Sequence, residues 1–161
     1  MADNADSRDD SPVPTLGHAF DLSVTVAEPI EIGDTGDGYR RIVPITGGTV
    51  SGAVSGDVLP VGADFQRLRL DRPTELVARY AFETESGAMV YVENRGLAVA
   101  PREVNQRVKE GLPVDPAEIY FRTVPSFETA DEDLSWLTER VFVATAEPKG
   151  GVIDISVYEV E

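Results

Sequence analysis

Residues 75–84 (ELVARYAFET) set Leu76, Ala78, Tyr80, Phe82 and Thr84 on one face and Val77, Arg79, Ala81 and Glu83 on the other. That two-residue period is the mark of an extended strand with one buried face, and a helix cannot satisfy it. Ser86 and Gly87 supply a tight turn. Residues 88–95 then return with Ala88, Val90, Val92 and Asn94 opposite Met89, Tyr91, Glu93 and Arg95. The period recurs at residues 19–27, where Phe20, Leu22, Val24 and Val26 oppose Asp21, Ser23 and Thr25, and at residues 64–70, where Asp64, Gln66 and Leu68 oppose Phe65, Arg67 and Arg69. Two more strands are expected at residues 139–146 and 152–160, joined across PKGG.

Glycine and proline fall between these runs. GDTGDG (33–38) reads as a hairpin turn between Ile30, Ile32 and the β-rich run 39–45, and its acidic side chains lack the spacing of a calcium loop. The Gly-dense stretch 45–64 suits short strands bending sharply, as at barrel corners. One surface helix is expected in PREVNQRVKEG, with Pro101 at its start, Val104 and Val108 on one stripe and Gly111 as its stop. ADEDLSWL reads as a single helical turn with Trp136 plugging one end of the sheet. Short strands at short spacing with one helix predict a mainly β fold, an antiparallel barrel of roughly eight to ten strands. Residues 16–161 are expected to form that single domain. Residues 1–15, acidic and poor in large apolar side chains, read as a disordered tail.

Composition limits the function classes. The chain has 161 residues, no Cys and one His, which excludes disulfides, thiolate metal sites, a Cys nucleophile and a His-based triad; no metal or cofactor is expected. With 29 Asp+Glu against 14 Lys+Arg the formal charge is -15. Nucleic acid and anionic membrane surfaces would be repelled, and no apolar run is long enough to cross a bilayer. A cytoplasmic protein is the expectation, its acidity reflecting a salty cytoplasm or a cation-binding surface. Exposed strand edges make a homodimer the simplest self-association.

The densest chemistry lies in YFRTVPSFET (120–129). Alternation puts Tyr120, Arg122, Val124, Ser126 and Glu128 on one side and Phe121, Thr123 and Phe127 on the other, with Pro125 expected to bulge or bend the strand. Together with GADFQ (62–66), ARY (78–80), ENRG (93–96), PITGG (44–48), SWL (135–137) and the terminal Tyr158, Glu159 and Val160, this stretch resembles domain of unknown function 3237, also termed uncharacterised protein family 0311. The likeness runs from about residue 20 to the last residue. It implies a bacterial or archaeal, calycin-like β-barrel with no settled activity. Phe65 stands where Trp is expected in many relatives and Thr138 where Asn is common, departures that would bear on ligand packing.

The candidate site residues follow from these motifs. Arg122, permanently charged and forked, would hold an anionic oxygen of a ligand, or else form an ion pair with Glu128 or Asp64. Asp64 or Glu128 would move a proton as the catalytic carboxylate, although Asp64 could equally cap a surface turn. Gln66, Tyr80 and Asn94 would orient the ligand, with Tyr80 and Asn94 alternatively satisfying buried backbone groups. Tyr120 and Trp136 complete the ligand-binding set. These residues point to a small-molecule-binding barrel, read as a cofactor-independent acid/base enzyme on a small organic acid, lactone or polyketide-like compound. The other reading is a non-catalytic carrier or an oligomeric structural barrel.

Overall fold

The computed structural model describes residues 11–161. The expected tail over 1–15 lies outside the described residues for its first ten positions. Its last position belongs to the barrel instead: Thr15 and Glu161 exchange backbone hydrogen bonds of 3.2 and 2.9 Å. Ten strands follow: β1 (Leu16–Val26), β2 (Ile30–Asp34), β3 (Tyr39–Gly52), β4 (Gly56–Val58), β5 (Ala63–Leu68), β6 (Thr74–Thr84), β7 (Met89–Val99), β8 (Tyr120–Thr129), β9 (Phe142–Pro148) and β10 (Val152–Val160). Helix α1 (Arg102–Lys109) fills the β7–β8 connection, and the one-turn α2 (Trp136–Glu139) precedes β9.

All pairings are antiparallel, and the sheet closes. From β1 the order runs through β10, β9, β8, β7 and β6, and β4 and β5, sharing one stave, join β6 to β3. β3 then pairs with β1, completing an eight-membered ring, while β2 hangs on β3 outside it. A closed ring has a single inside, so the period-two pattern of every strand is set against one interior. The faces read from the sequence as apolar in β1, β6 and β7 are the inward ones.

The Gly-dense stretch departs from expectation. Instead of several short strands, β3 runs unbroken for 14 residues, pairing first with β5 and then, past Pro44, with β1 and β4. Gly48 allows that change of partner. Its φ of +139° suits glycine, and a Cβ there would meet the carbonyl oxygen of Ser23 across the ladder. Pro125, expected to bulge β8, does not disturb its register with β7. β9 pairs with β8 only at Arg122 and Thr123, so at Pro125 that side of the strand needs no ladder donor.

Helix α1 carries its expected start and stop residues. Pro101 stands just before α1, Glu103 in its first turn and Arg107 and Lys109 in its last suit the helix dipole, and Gly111 leaves it at φ +71°. α2 is the single helical turn read in ADEDLSWL, and it delays the next strand to Phe142.

The interior has two unlike ends. At one, Phe20 packs against Phe82, Phe127 and Trp136 at centroid distances of 6.4, 5.5 and 6.4 Å, and Phe142 meets Phe127 and Trp136 at 5.3 and 5.9 Å. Leu137 of α2, Val90, Val92 and Val157 complete this plug. Truncating its central ring, Phe20→Ala, is expected to cost about 3–5 kcal/mol of unfolding free energy in urea. Arg122→Ala, on the outer wall, is expected to change it by less than about 0.5 kcal/mol. Comparable losses in the two variants would contradict this packing.

Candidate functional site

The other end of the barrel holds a cavity of about 60 Å³. Most of its wall is apolar, from Val24, Ile45, Leu76, Phe121 and Ile155 among others, but Asp64, Gln66, Tyr80, Asn94 and Thr123 also line it. They come from four strands: β5 gives Asp64 and Gln66, β6 Tyr80, β7 Asn94 and β8 Thr123. Each is an inward-parity position next to an apolar one. Gly62, at φ +88°, lets β5 start close against β6, because a Cβ there would collide with the carbonyl oxygen of Arg79. The register of β5, with Asp64 opposite Val43 of β3 and Ala78 of β6, turns Asp64 inward.

Arg41 of β3, which the sequence did not single out, organises the carboxylate. Its Nε donates to Gln66 Oε1 at 2.7 Å, and Gln66 Nε2 donates to Asp64 Oδ2 at 2.6 Å. A guanidinium can only donate, so the Gln66 oxygen must face Arg41, and the amide NH2 is thereby turned onto Asp64. Arg41 Nη1 also donates to the Val108 carbonyl oxygen at 3.3 Å, tying the last turn of α1 to the same chain of bonds. Burial draws the Arg41 guanidinium down from its ordinary pKa, and Glu31 and Asp64 partly oppose that.

The inner ends of this network lack partners. Asp64 Oδ1, Tyr80 OH, Asn94 Oδ1 and Thr123 Oγ1 are enclosed with no hydrogen bond among the described residues, and all four residues line the one cavity. A fifth such atom, Arg67 Nε, belongs to a side chain outside the lining whose Nη1 pairs with Asp37. Leaving a buried polar atom unsatisfied costs about 1–3 kcal/mol, and four of them meet in this one cavity. Burial raises the Asp64 carboxyl to about 6, with the Gln66 hydrogen bond and Arg41 acting the other way. Burial, and then the neighbouring Asp64, push the Tyr80 phenol up, so it keeps its proton and remains a donor.

Thus Asp64, Gln66, Tyr80 and Asn94 come together as the sequence suggested, and the other four predicted residues do not join them. β8 alternates as read, but its Arg122 face is the outer one. Arg122 stacks over Tyr120 at 4.7 Å and donates to the Phe121 carbonyl oxygen, and both side chains line an outer groove of about 570 Å³. Of the cavity's four residues with unpartnered atoms, the groove shares only Thr123. Glu128 is exposed on the same outer face, so neither the pair with Arg122 nor a catalytic place at the cavity is present. Trp136 belongs to the aromatic plug. Thr123 was passed over because a lone Thr among aromatics carries little signal. Its inward parity in β8 was the available one.

The two departures from the family pattern stay away from the cavity. Phe65 lies on the opposite parity from Asp64 and Gln66 and is outside the lining. Thr138 is exposed in α2, donating to the Ser135 carbonyl oxygen at 2.8 Å. His18 is exposed and bonds Asp21, and it lies within β1.

A family model described as "Protein of unknown function (DUF3237)" matches residues 14–160. A UPF0311 protein of Bradyrhizobium diazoefficiens is 50% identical over 149 residues, covering 91% of this chain and 98% of its own. The crystal structure of a conserved protein of unknown function from Rhodopseudomonas palustris matches with a TM-score of 0.87 at 43% identity, over 94% of this chain and all of that one. The crystal structure of an enzyme from Penicillium herquei shares the fold at a TM-score of 0.71 and 17% identity, over 95% of this chain and 99% of that one. Among the described residues no helix is long and apolar enough to cross a membrane.

The raised Asp64 pKa has a stability consequence. The folded carboxyl keeps its proton to about pH 6, whereas the unfolded one releases it near 3.8. The stability linked to this proton is therefore full below pH 3.8 and lost as pH rises through 6, a change of about 3 kcal/mol. Urea unfolding of the parent and of Asp64→Asn between pH 4 and 7.5 is expected to show the parent losing stability relative to the variant across that window. Parallel curves would contradict the enclosure of Asp64.

Proposed function

The chain belongs to the DUF3237 family of proteins of unknown function, and on that premise we propose that it is a small-molecule enzyme whose barrel cavity performs acid/base chemistry through Asp64. The observation that carries this reading is the convergence of four unpartnered polar atoms from four strands on one otherwise apolar cavity. A carboxyl titrating about 6 is mostly ionised at neutral pH yet close enough to it to take and return a proton. Gln66, held by Arg41, engages Oδ2 and leaves Oδ1 for the ligand. The Tyr80 hydroxyl, with its proton retained, would donate to the ligand oxygen on which charge develops, and Asn94 and Thr123 would set the ligand's orientation.

The cavity is far smaller than the ~300–1,000 Å³ typical of drug-sized ligands. It suits a small compound, or the reactive end of a larger one whose remainder stays outside the wall. The fold it shares with the Penicillium herquei protein, described as an enzyme, is consistent with a catalytic use of such a barrel.

Native mass spectrometry of the purified protein is the test, with Ala78→Phe as the variant that fills the cavity. A co-purifying small molecule is expected on the parent and on Asp64→Asn but not on Ala78→Phe. Once that molecule is identified, Asp64→Asn is expected to slow its turnover by about 10²–10⁴-fold. Retention by Ala78→Phe with loss from Arg122→Ala would move the site to the outer groove. Unchanged turnover in Asp64→Asn would exclude its acid/base role, and no turnover in the parent would make the barrel a carrier.

A further inference from the structure

We infer that the cavity selects an uncharged ligand with an apolar body that presents a hydroxyl or enol hydrogen to Asp64, and that it rejects carboxylates. This rests on the preceding reading of the cavity as the ligand site and narrows it, setting aside the small organic acid among the ligand classes suggested by the sequence.

The hydrogen-bonding inventory of the wall is the first ground. Asp64 Oδ1 and Asn94 Oδ1 act as acceptors, while the Tyr80 and Thr123 hydroxyls can give or accept. A ligand that satisfies this set must bring hydrogens. A carboxylate brings only acceptors, and would leave the two wall oxygens as unpartnered as before.

Charge is the second ground. No Lys, Arg or His lines the cavity. The nearest cation of the network, Arg41, is itself outside the lining, with its Nε on Gln66 and its Nη1 on the Val108 carbonyl. An anionic ligand would enter beside Asp64 with no countercharge, inside a wall of Val, Ile, Leu, Ala and Phe. Burying an unpaired anion there costs several kcal/mol. The Arg122 that the sequence offered for this purpose lies across the wall, on the outer face.

An ammonium would satisfy the acceptors but suffers the same apolar enclosure. Its one charged partner would be Asp64, whose Oδ2 already accepts from Gln66, and a single buried ion pair does not repay taking both charges out of water. A hydroxyl supplies the hydrogen without a charge to strip of water. In a catalytic cycle the O–H bond of the ligand breaks as Asp64 Oδ1 takes the proton. Its electron pair stays on the ligand oxygen, within reach of the Tyr80 donor, and the proton returns to the product.

The test uses the whole chain and three probes of nearly one shape: isobutanol, isobutyrate and isobutylammonium. Amide shifts are followed by two-dimensional NMR at pH 7.5. Isobutanol is expected to perturb the amides of Asp64, Tyr80, Asn94 and Thr123 with a Kd at least fivefold below that of isobutyrate, and below that of isobutylammonium. Asp64→Asn, which removes the charge and keeps the shape, is expected to narrow the gap between isobutanol and isobutyrate. If isobutyrate or isobutylammonium binds these residues as tightly as isobutanol, the inferred class is overturned while the cavity remains the ligand site. If no probe moves these amides, the inference and the cavity reading fall together.

Discussion

Closure of the sheet between β1 and β3 is the constraint from which the other features descend. In an open sheet each strand can choose which face meets solvent, but in a ring every inward position shares one small volume. Motifs are therefore divided residue by residue. In ENRG, Asn94 turns inward while Glu93 and Arg95 form an outer ion network with Arg79, with Arg–Glu distances of 2.8 and 2.6 Å. In ARY, Arg79 joins that network and Tyr80 reaches the cavity. Such solvent-facing pairs contribute little to stability, so these motifs combine an outer charge pattern with a single inward polar side chain.

The two ends of the interior divide the work. The aromatic plug of Phe20, Phe82, Phe127, Trp136 and Phe142 supplies apolar burial without a polar atom to satisfy beyond the indole N–H. The cavity end gives up some of that burial and holds Asp64 in a state that opposes folding once ionised. Four unpartnered atoms can persist there because the plug and the closed hydrogen-bond ladder over-determine the backbone around them. Their placement on four different strands makes the barrel itself the device that aims them.

Most of the fold was legible because period-two alternation is a local property. β1, β6 and β7 were readable with their inward faces, β10 as a strand, and Pro101 and Gly111 bracketed α1. The polar lining of the cavity was legible where a polar residue interrupted an apolar face, as Asp64, Gln66, Tyr80 and Asn94 do. It was misread in β8, where both faces carry aromatics and the outer one carries the charges. Density of chemistry then pointed to Arg122 and Glu128, but parity, which the sequence leaves open when the two faces look alike, put them outside. Arg41 was hidden for a different reason: its partner Gln66 is distant in sequence, and only the pairing of β3 with β5 sets Arg41 opposite Gln66.

That pairing also explains why Arg41 can act on Asp64 without lining the cavity. A guanidinium inside would neutralise the carboxylate outright and hold its pKa down. Placed one amide away, it transmits orientation more than charge. The Gln66 oxygen accepts from Arg41, the Gln66 NH2 is left only one direction to donate, and Asp64 Oδ2 is fixed while Oδ1 stays free. Because Arg41 also bonds the Val108 carbonyl, any displacement of the last turn of α1 acts on the same three side chains. Asp64 is thus set by two opposed demands: enclosure raises its affinity for a proton, and the Arg41–Gln66 bridge keeps its ionised form tolerable at neutral pH.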